Sequence, residues 1–229
     1  MKNGGITAKR LLIYIAGLFI LALGISFSIV ANLGVSPVSS LAYAITLATG
    51  ISVGMTTIFA NIIFIIIQVL LNRRIDLKDF GIQLIVAFLF GFFNDAALWI
   101  TEHFLPTPNS TLDSWIYMII SLFIVGFGLV FYLNSKLPLM PYDSLTYVIS
   151  DHFKWKFSKA KIISDVANVI LATIVCLVTI HRLGSIGIGT IIAAYMVGKI
   201  IAFYMKLMKD PLNHWLYKSN PEKEQQIHS

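Results

Sequence analysis

Residues 11–31 read LLIYIAGLFILALGISFSIVA, 21 residues without a charge. About 20 apolar residues, rising 1.5 Å each as a helix, cross a hydrocarbon core of roughly 30 Å. In lipid every backbone N–H and C=O must be satisfied internally, which leaves the helix as the solution for a single run. Further runs of this kind lie at approximately 55–72, 82–101, 114–134, 161–180 and 186–207. The chain as a whole is 57% hydrophobic and 12% charged. Soluble domains carry about 25% charge. The predicted fold class is therefore an all-α integral membrane protein with six transmembrane helices.

The N-terminus, MKNGGITAKR before the first run, imitates a secretory signal. The run is longer than a signal core of about 7–15 residues, and no small-x-small cleavage site follows it. The expectation is an uncleaved first helix. A lone Cys176 within an apolar run predicts neither an internal disulfide nor a thiolate metal cluster.

Two shorter segments, 37–49 and 141–152, give only about 20 Å of helix each. Segments of this length are often re-entrant or interfacial. The net charge of +6 helps to place them. In a soluble protein it would suggest nucleic acid, but here the cations sit in short loops and the tail and report topology. If neither short segment crosses and the N-terminus is cytoplasmic, the inside pieces hold 15 of the 17 Lys and Arg residues, with Arg182 outside and Lys199 inside a helix. If both cross, the split falls to 11 against 5. The positive-inside rule favours the first arrangement. It predicts six spanning helices, two re-entrant or discontinuous short helices, and both termini in the cytoplasm.

The short segments match each other. SPVSSLAYAIT at 36–46 and MPYDSLTYVIS at 140–150 share Pro37/Pro141, Ser40/Ser144, Leu41/Leu145, Tyr43/Tyr147 and Ile45/Ile149. The offset of 104 also pairs LFI at 18–20 with LFI at 122–124, and Gly24 with Gly128. Later it becomes 107, pairing Asn61 with Asn168, Ala87 with Ala194 and Gly91 with Gly198. Shared order and a nearly constant offset indicate internal duplication. The predicted organisation is a cytoplasmic stretch 1–10, a first repeat 11–101, an external loop 102–113, a second repeat 114–207 and a cytoplasmic tail 208–229. Three crossings per repeat is an odd number, so the halves insert in opposite senses. Inverted-topology repeats recur in secondary transporters, whose sites lie near the midplane at broken helices. Six-helix channels use a related plan, and duplication for packing alone is the plainer alternative.

Pro37 and Pro141 suit the first helical position, and Ser36 suits an N-cap. Ser39 and Asp143 then fall near the third position, where a carboxylate faces the positive end of the helix dipole. Ser39, Ser40, Asp143 and Ser144, with Tyr43 and Tyr147, are candidates to line a substrate or permeation path. The bland alternative is that they only cap their own helices. One acid near two positive helix ends points to a neutral or cationic passenger. Asn61 and Asn168 either touch the helix breaks or bond across helices in the ordinary way. Lys199, some 13 residues into the last helix, needs a partner or a cavity, with Asp95, Asp143 and Asp165 as candidates. Its plainer readings are a structural ion pair or a snorkelling side chain. Asp95 has no local cation, whereas Asp165 follows Lys161 by four residues and suits a surface pair. Gly17, Gly24, Gly91, Gly126, Gly128 and Gly198 are expected to allow close helix approach.

GSIGIGT at 184–190 lacks the Lys-Ser/Thr of a phosphate loop and opens an apolar helix, so it is read as shaping that entry. His-Glu-x-x-His and Gly-x-Ser-x-Gly signatures are absent. The expectation is no enzyme, no cofactor and no metal. The lipid bilayer is the first partner, then an unknown small solute. A homo-oligomer stays open.

The segments SPVSSLAY, MPYDSLTYVIS and SIGIGTIIAAYMVGKIIAFYMKLM together resemble the YczE/YyaS/YitT-type membrane proteins of bacteria, over most of residues 10–208. The resemblance implies a bacterial inner membrane protein and brings no substrate and no catalytic residue. The functional expectation is transport of a small solute. A non-transporting scaffold or accessory subunit is the alternative, and a passive channel ranks below both.

Overall fold

The computed structural model describes residues 2–72 and 77–217. It has eight helices among these residues: α1 Lys2–Ala31, α2 Pro37–Thr49, α3 Val53–Asn72, α4 Leu77–Phe104, α5 Thr111–Asn134, α6 Pro141–His152, α7 Phe157–Thr179 and α8 Ile188–Tyr217. Six of them, all but α2 and α6, are long and apolar enough to cross a membrane. Arg73 and Arg74, and the tail from Lys218 onward, lie outside the described residues.

Each short helix starts on its proline, at the first position, as the sequence predicts. Gly50 ends α2 in a left-handed conformation, φ 73°, with its N–H bonded back to Thr46 O. Ser110 and Asp113 form a reciprocal capping box at the start of α5. The expected cap at Ser36 does not form. Its hydroxyl lies 3.3 Å from Ser39 Oγ and makes no bond to the helix backbone. Pro37 has no N–H to offer, and the Ser39 N–H is taken by the Ser36 carbonyl at 3.0 Å.

α8 runs on past residue 207, where the sequence places the end of the second repeat. The helix continues through Pro211 to Tyr217. Leu212 and Leu216 pack on Ile6 and Ile13 of α1, and Lys9 Nζ donates to Trp215 O at 2.8 Å. Burying the two leucines, at about 1.5–3 kcal/mol each, offsets the roughly 3 kcal/mol that a proline inside a helix costs.

The packing is that of two interleaved halves. α1 lies on α4 and α5 lies on α8, while α1 and α5 form the most extensive contact in the molecule. Their seam depends on glycine. A Cβ at Gly17 would lie 2.6 Å from Tyr132 N, and one at Gly128 would lie 2.6 Å from Leu21 N. Without side chains the two backbones meet directly, the usual route to close packing when lipid supplies no hydrophobic drive between helices. The short helices are exchanged across the halves: α2 packs on α7, and α6 packs on α3.

The contact of α1 with the end of α8 has no counterpart between α5 and α4, and a larger contact is not repeated either. α3 packs along α4, but their counterparts α7 and α8 scarcely meet. Gly91 sits against Gly54 and Ile58, as expected of a small residue. Gly198, also expected at a close approach, has open space around it.

Candidate functional site: a cavity walled by a helix that starts at mid-depth

Asn168, midway along α7, donates through Nδ2 to Pro37 O at 3.1 Å and to Val38 O at 3.0 Å. The start of α2 is thereby held at the middle depth of a spanning helix. α6 is held instead by Gln68, one turn from the end of α3, whose Nε2 donates to Pro141 O at 3.0 Å. Asn61, the repeat partner of Asn168, donates only to Thr57 O within its own helix, at 3.0 Å. The duplicated amides have therefore taken different tasks, and α6 starts nearer the membrane face that carries the start of α1 (the near face).

A cavity of about 40 Å³ lies between α1, α2, α3, α4 and the start of α6. That is room for about three waters. Ser39 and Tyr43 of α2, Thr57 and Asn61 of α3, and Asn94 of α4 supply its polar groups. Ile25, Ile29, Phe64, Phe90 and Met140 supply apolar wall. Both short helices reach it, α2 through Val38 and Ser39, α6 through Tyr142 and Met140 just before it.

Three of the ten expected path residues, Ser39, Tyr43 and Asn61, line this cavity. The others are placed as follows. Ser40 is buried in the first turn of α2 and donates to Pro37 O at 2.7 Å. Ser144 belongs to a buried amide network, donating to Gln68 Oε1 at 2.9 Å and accepting from Gln83 Nε2 at 3.3 Å. Asn168 grips the outside of α2. Tyr147 points away from the core and is 63% exposed. Asp95 accepts from Ser52 Oγ at 2.7 Å and from Gly54 N at 2.6 Å, tying α4 to the start of α3. Lys199 does not reach Asp95, Asp143 or Asp165: its ammonium donates to Tyr195 one turn earlier and lies 3.9 Å from that ring's centroid.

Asp143 forms a second constellation toward the near face. Lys161 Nζ is 3.8 Å from Asp143 Oδ1 and 3.2 Å from Asp165 Oδ1. It also lies 4.2 Å from the centroid of the Tyr142 ring. Tyr132 donates to Asp143 at 3.3 Å, and the Tyr142 hydroxyl donates to Asp165. The Lys161–Asp165 pair fits its four-residue spacing, but it is partly buried and shared with Asp143 rather than free on the surface. One cation and two phenols thus hold two carboxylates, and α5, α6 and α7 meet on this network.

Each face has its own clasp. On the far face, Val35 N donates to Ser185 O at 3.1 Å and Gly189 N to Leu33 O at 2.7 Å. Gly34 has φ +96°, and a Cβ there would lie 2.7 Å from Thr190 Oγ1. The glycines of GSIGIGT do shape the entry of the last helix. On the near face the loop 135–140 is held by side chains. Arg10 Nε donates to Ser135 O at 2.6 Å and Tyr14 donates to Pro138 O at 2.9 Å.

The sequence reading passed over Gln68, Gln83 and Asn94. Each is a single amide in an apolar span without a motif around it. The available signal was their cost: an amide at membrane depth needs a partner.

Residues 8–206 match the family of unknown function DUF6198. The chain belongs to that family. It is similar to the uncharacterized protein YyaS of Bacillus subtilis, 31% identical over 90% of this chain and 96% of the relative. It is similar to the uncharacterized membrane protein YczE of the same organism, 27% identical over 88% and 87% of the two chains. An uncharacterized protein of Haemophilus influenzae is 24% identical over 87% and 85%. No solved structure matches. These relationships agree with the resemblance read from the short-segment motifs, and with an integral membrane protein of several spans.

Proposed function

We propose that the protein moves a small solute across the bacterial cytoplasmic membrane by alternating access, with the cavity between α1, α2, α3, α4 and α6 as its site. In this reading both termini are cytoplasmic, so the near face is the inside. α2 and α6 are re-entrant, and the protein is a carrier rather than an enzyme. The observation that carries the reading is the start of α2, held at mid-depth by Asn168 of the other half and walling a partly polar cavity. Carrier sites in inverted repeats are built this way, at the broken helix where the halves meet.

The unequal halves support it further. Two inverted repeats in the same conformation would give a symmetric molecule. Here α3 is closed on α4 while α7 stands apart from α8. Exchange of these two conformations between the halves would bring the cavity to the opposite face. A scaffold needs no partly polar cavity. A passive channel needs an open path, and the cavity holds only about three waters.

The test is Ser39→Cys in oriented vesicles with a membrane-impermeant maleimide. Cys176, the native cysteine, is fully buried. Labelling from each face, in inside-out and right-side-out vesicles, is the expected result. A cysteine sealed from both faces under every condition ends the transport reading.

A further inference from the structure

Asn94 is 3% exposed and lines the cavity. Its Oδ1 is buried and no protein donor reaches it. A buried amide oxygen left without any partner costs roughly 1–3 kcal/mol, so its partner comes from the cavity, as water or as a bound molecule. The repeat offers no structural reason for it. At the offset of 107 the matching residue is Ile201, so the duplicated fold is built without an amide at that place. Asp95 beside it is engaged elsewhere, on Ser52 and Gly54.

The cavity contains no charged lining residue. Asp143, the acid expected to face a passenger, is turned to Lys161 and Tyr132 instead. An ion brought into such a site would lose its hydration with no counter-charge to replace it, a far larger cost than for a neutral polar group. The passenger class narrows accordingly from neutral or cationic to neutral.

Resting on the transport reading above, we propose that Asn94 is the group that recognises the solute, and that the solute is a small uncharged molecule carrying hydrogen-bond donors, of the alcohol or amide type. Its donor completes Asn94 Oδ1, which a turn of the amide about its Cβ–Cγ bond brings to the cavity wall. Phe64 and Phe90 cover the carbon skeleton.

The test uses the full-length Ser39→Cys protein in vesicles and reads the rate of maleimide labelling. Glycerol, urea and acetamide are the uncharged probes; choline and acetate are the charged ones. At least one uncharged probe should slow labelling. Asn94→Leu should weaken that protection by roughly fivefold to tenfold, the loss of one hydrogen bond. Asn94→Ala is carried alongside in case leucine does not fit. Protection by choline or acetate overturns the proposal. So does protection that survives both substitutions, or a cysteine that labels freely with no uncharged probe slowing it. The last result leaves the transport reading standing, whereas a cysteine that never labels removes both.

Discussion

The two halves of the molecule share one pattern, and the largest difference in their packing lies at the seam between their last two helices. In the first half Gly54 and Gly91 let α3 lie directly on α4. At the same offset of 107 the second half has Lys161 and Gly198. Lys161 does not face α8; its ammonium is drawn onto Asp143 and Asp165. Gly198 is left with nothing near it. A single change from a residue without a side chain to a long charged one thus accompanies the exchange of a helix–helix seam for an ion network with the short helix. In a membrane this is physically sensible. Close packing and interhelical polar bonds are the two ways helices adhere in lipid, and each half relies on a different one.

The comparison is broken most directly at its glycines. Gly91→Leu places a side chain where the Gly54 carbonyl stands 2.7 Å from an ideal Cβ. Overpacking of this kind costs about 1–3 kcal/mol, with the upper end expected against backbone. Gly198→Leu meets open space, so its stability should be unchanged or raised by up to about 1 kcal/mol through helix propensity. Melting temperatures of the two purified variants in one detergent check this. Equal losses would mean that α7 and α8 close on each other as α3 and α4 do.

The ion network gives the next effect. Lys161→Met leaves two carboxylates with only phenol donors, and a loss of roughly 2 kcal/mol is expected from the charge-assisted bonds removed. Lys199→Met touches one exposed contact with Tyr195 and should stay within about 0.5 kcal/mol. A larger loss for Lys199 than for Lys161 would reverse the ranking of the two cations.

The duplicated amides give the smallest contrast. Asn168→Leu leaves the Pro37 and Val38 carbonyls without their cross-half donor and should cost about 1–2 kcal/mol. Asn61→Leu removes a bond within one helix and should cost less than about 1 kcal/mol. Similar losses at both positions would indicate that Asn61 also holds a helix start.

Much of this architecture is legible without coordinates. The six long apolar runs, the two proline-led short helices with the bounds 37–49 and 141–152, and the pairing of the halves all follow from length, period and offset. These are signals repeated over many residues. What escaped the sequence depends on single side chains and on depth. Lys199 had three plausible acids, and only its position one turn from Tyr195, on the outer side of α8, decides between them. Asp143 was read at the correct helical position, but nothing in MPYDSL says that Lys161 and Tyr132 would turn it from the cavity. The depths of α2 and α6 differ because Asn168 holds one and Gln68 the other, and Gln68 has no counterpart motif to announce it. Asn94 was hidden for the same reason, as one amide in the run LFGFFNDAALW.

In the transport reading, the close packing of α3 on α4 at Gly54 and Gly91 seals the cavity from the far face. An ideal Cβ at Gly91 lies 2.5 Å from Ile58 Cγ1, which puts the two Cβ atoms within about 4 Å, a separation that lets Ile58→Cys and Gly91→Cys bridge these helices by a disulfide. With Ser39→Cys as the reporter, the oxidised lock should confine maleimide labelling to the near face, and reduction should restore labelling from the far face. Far-face labelling that continues at full rate in the oxidised protein would contradict the account.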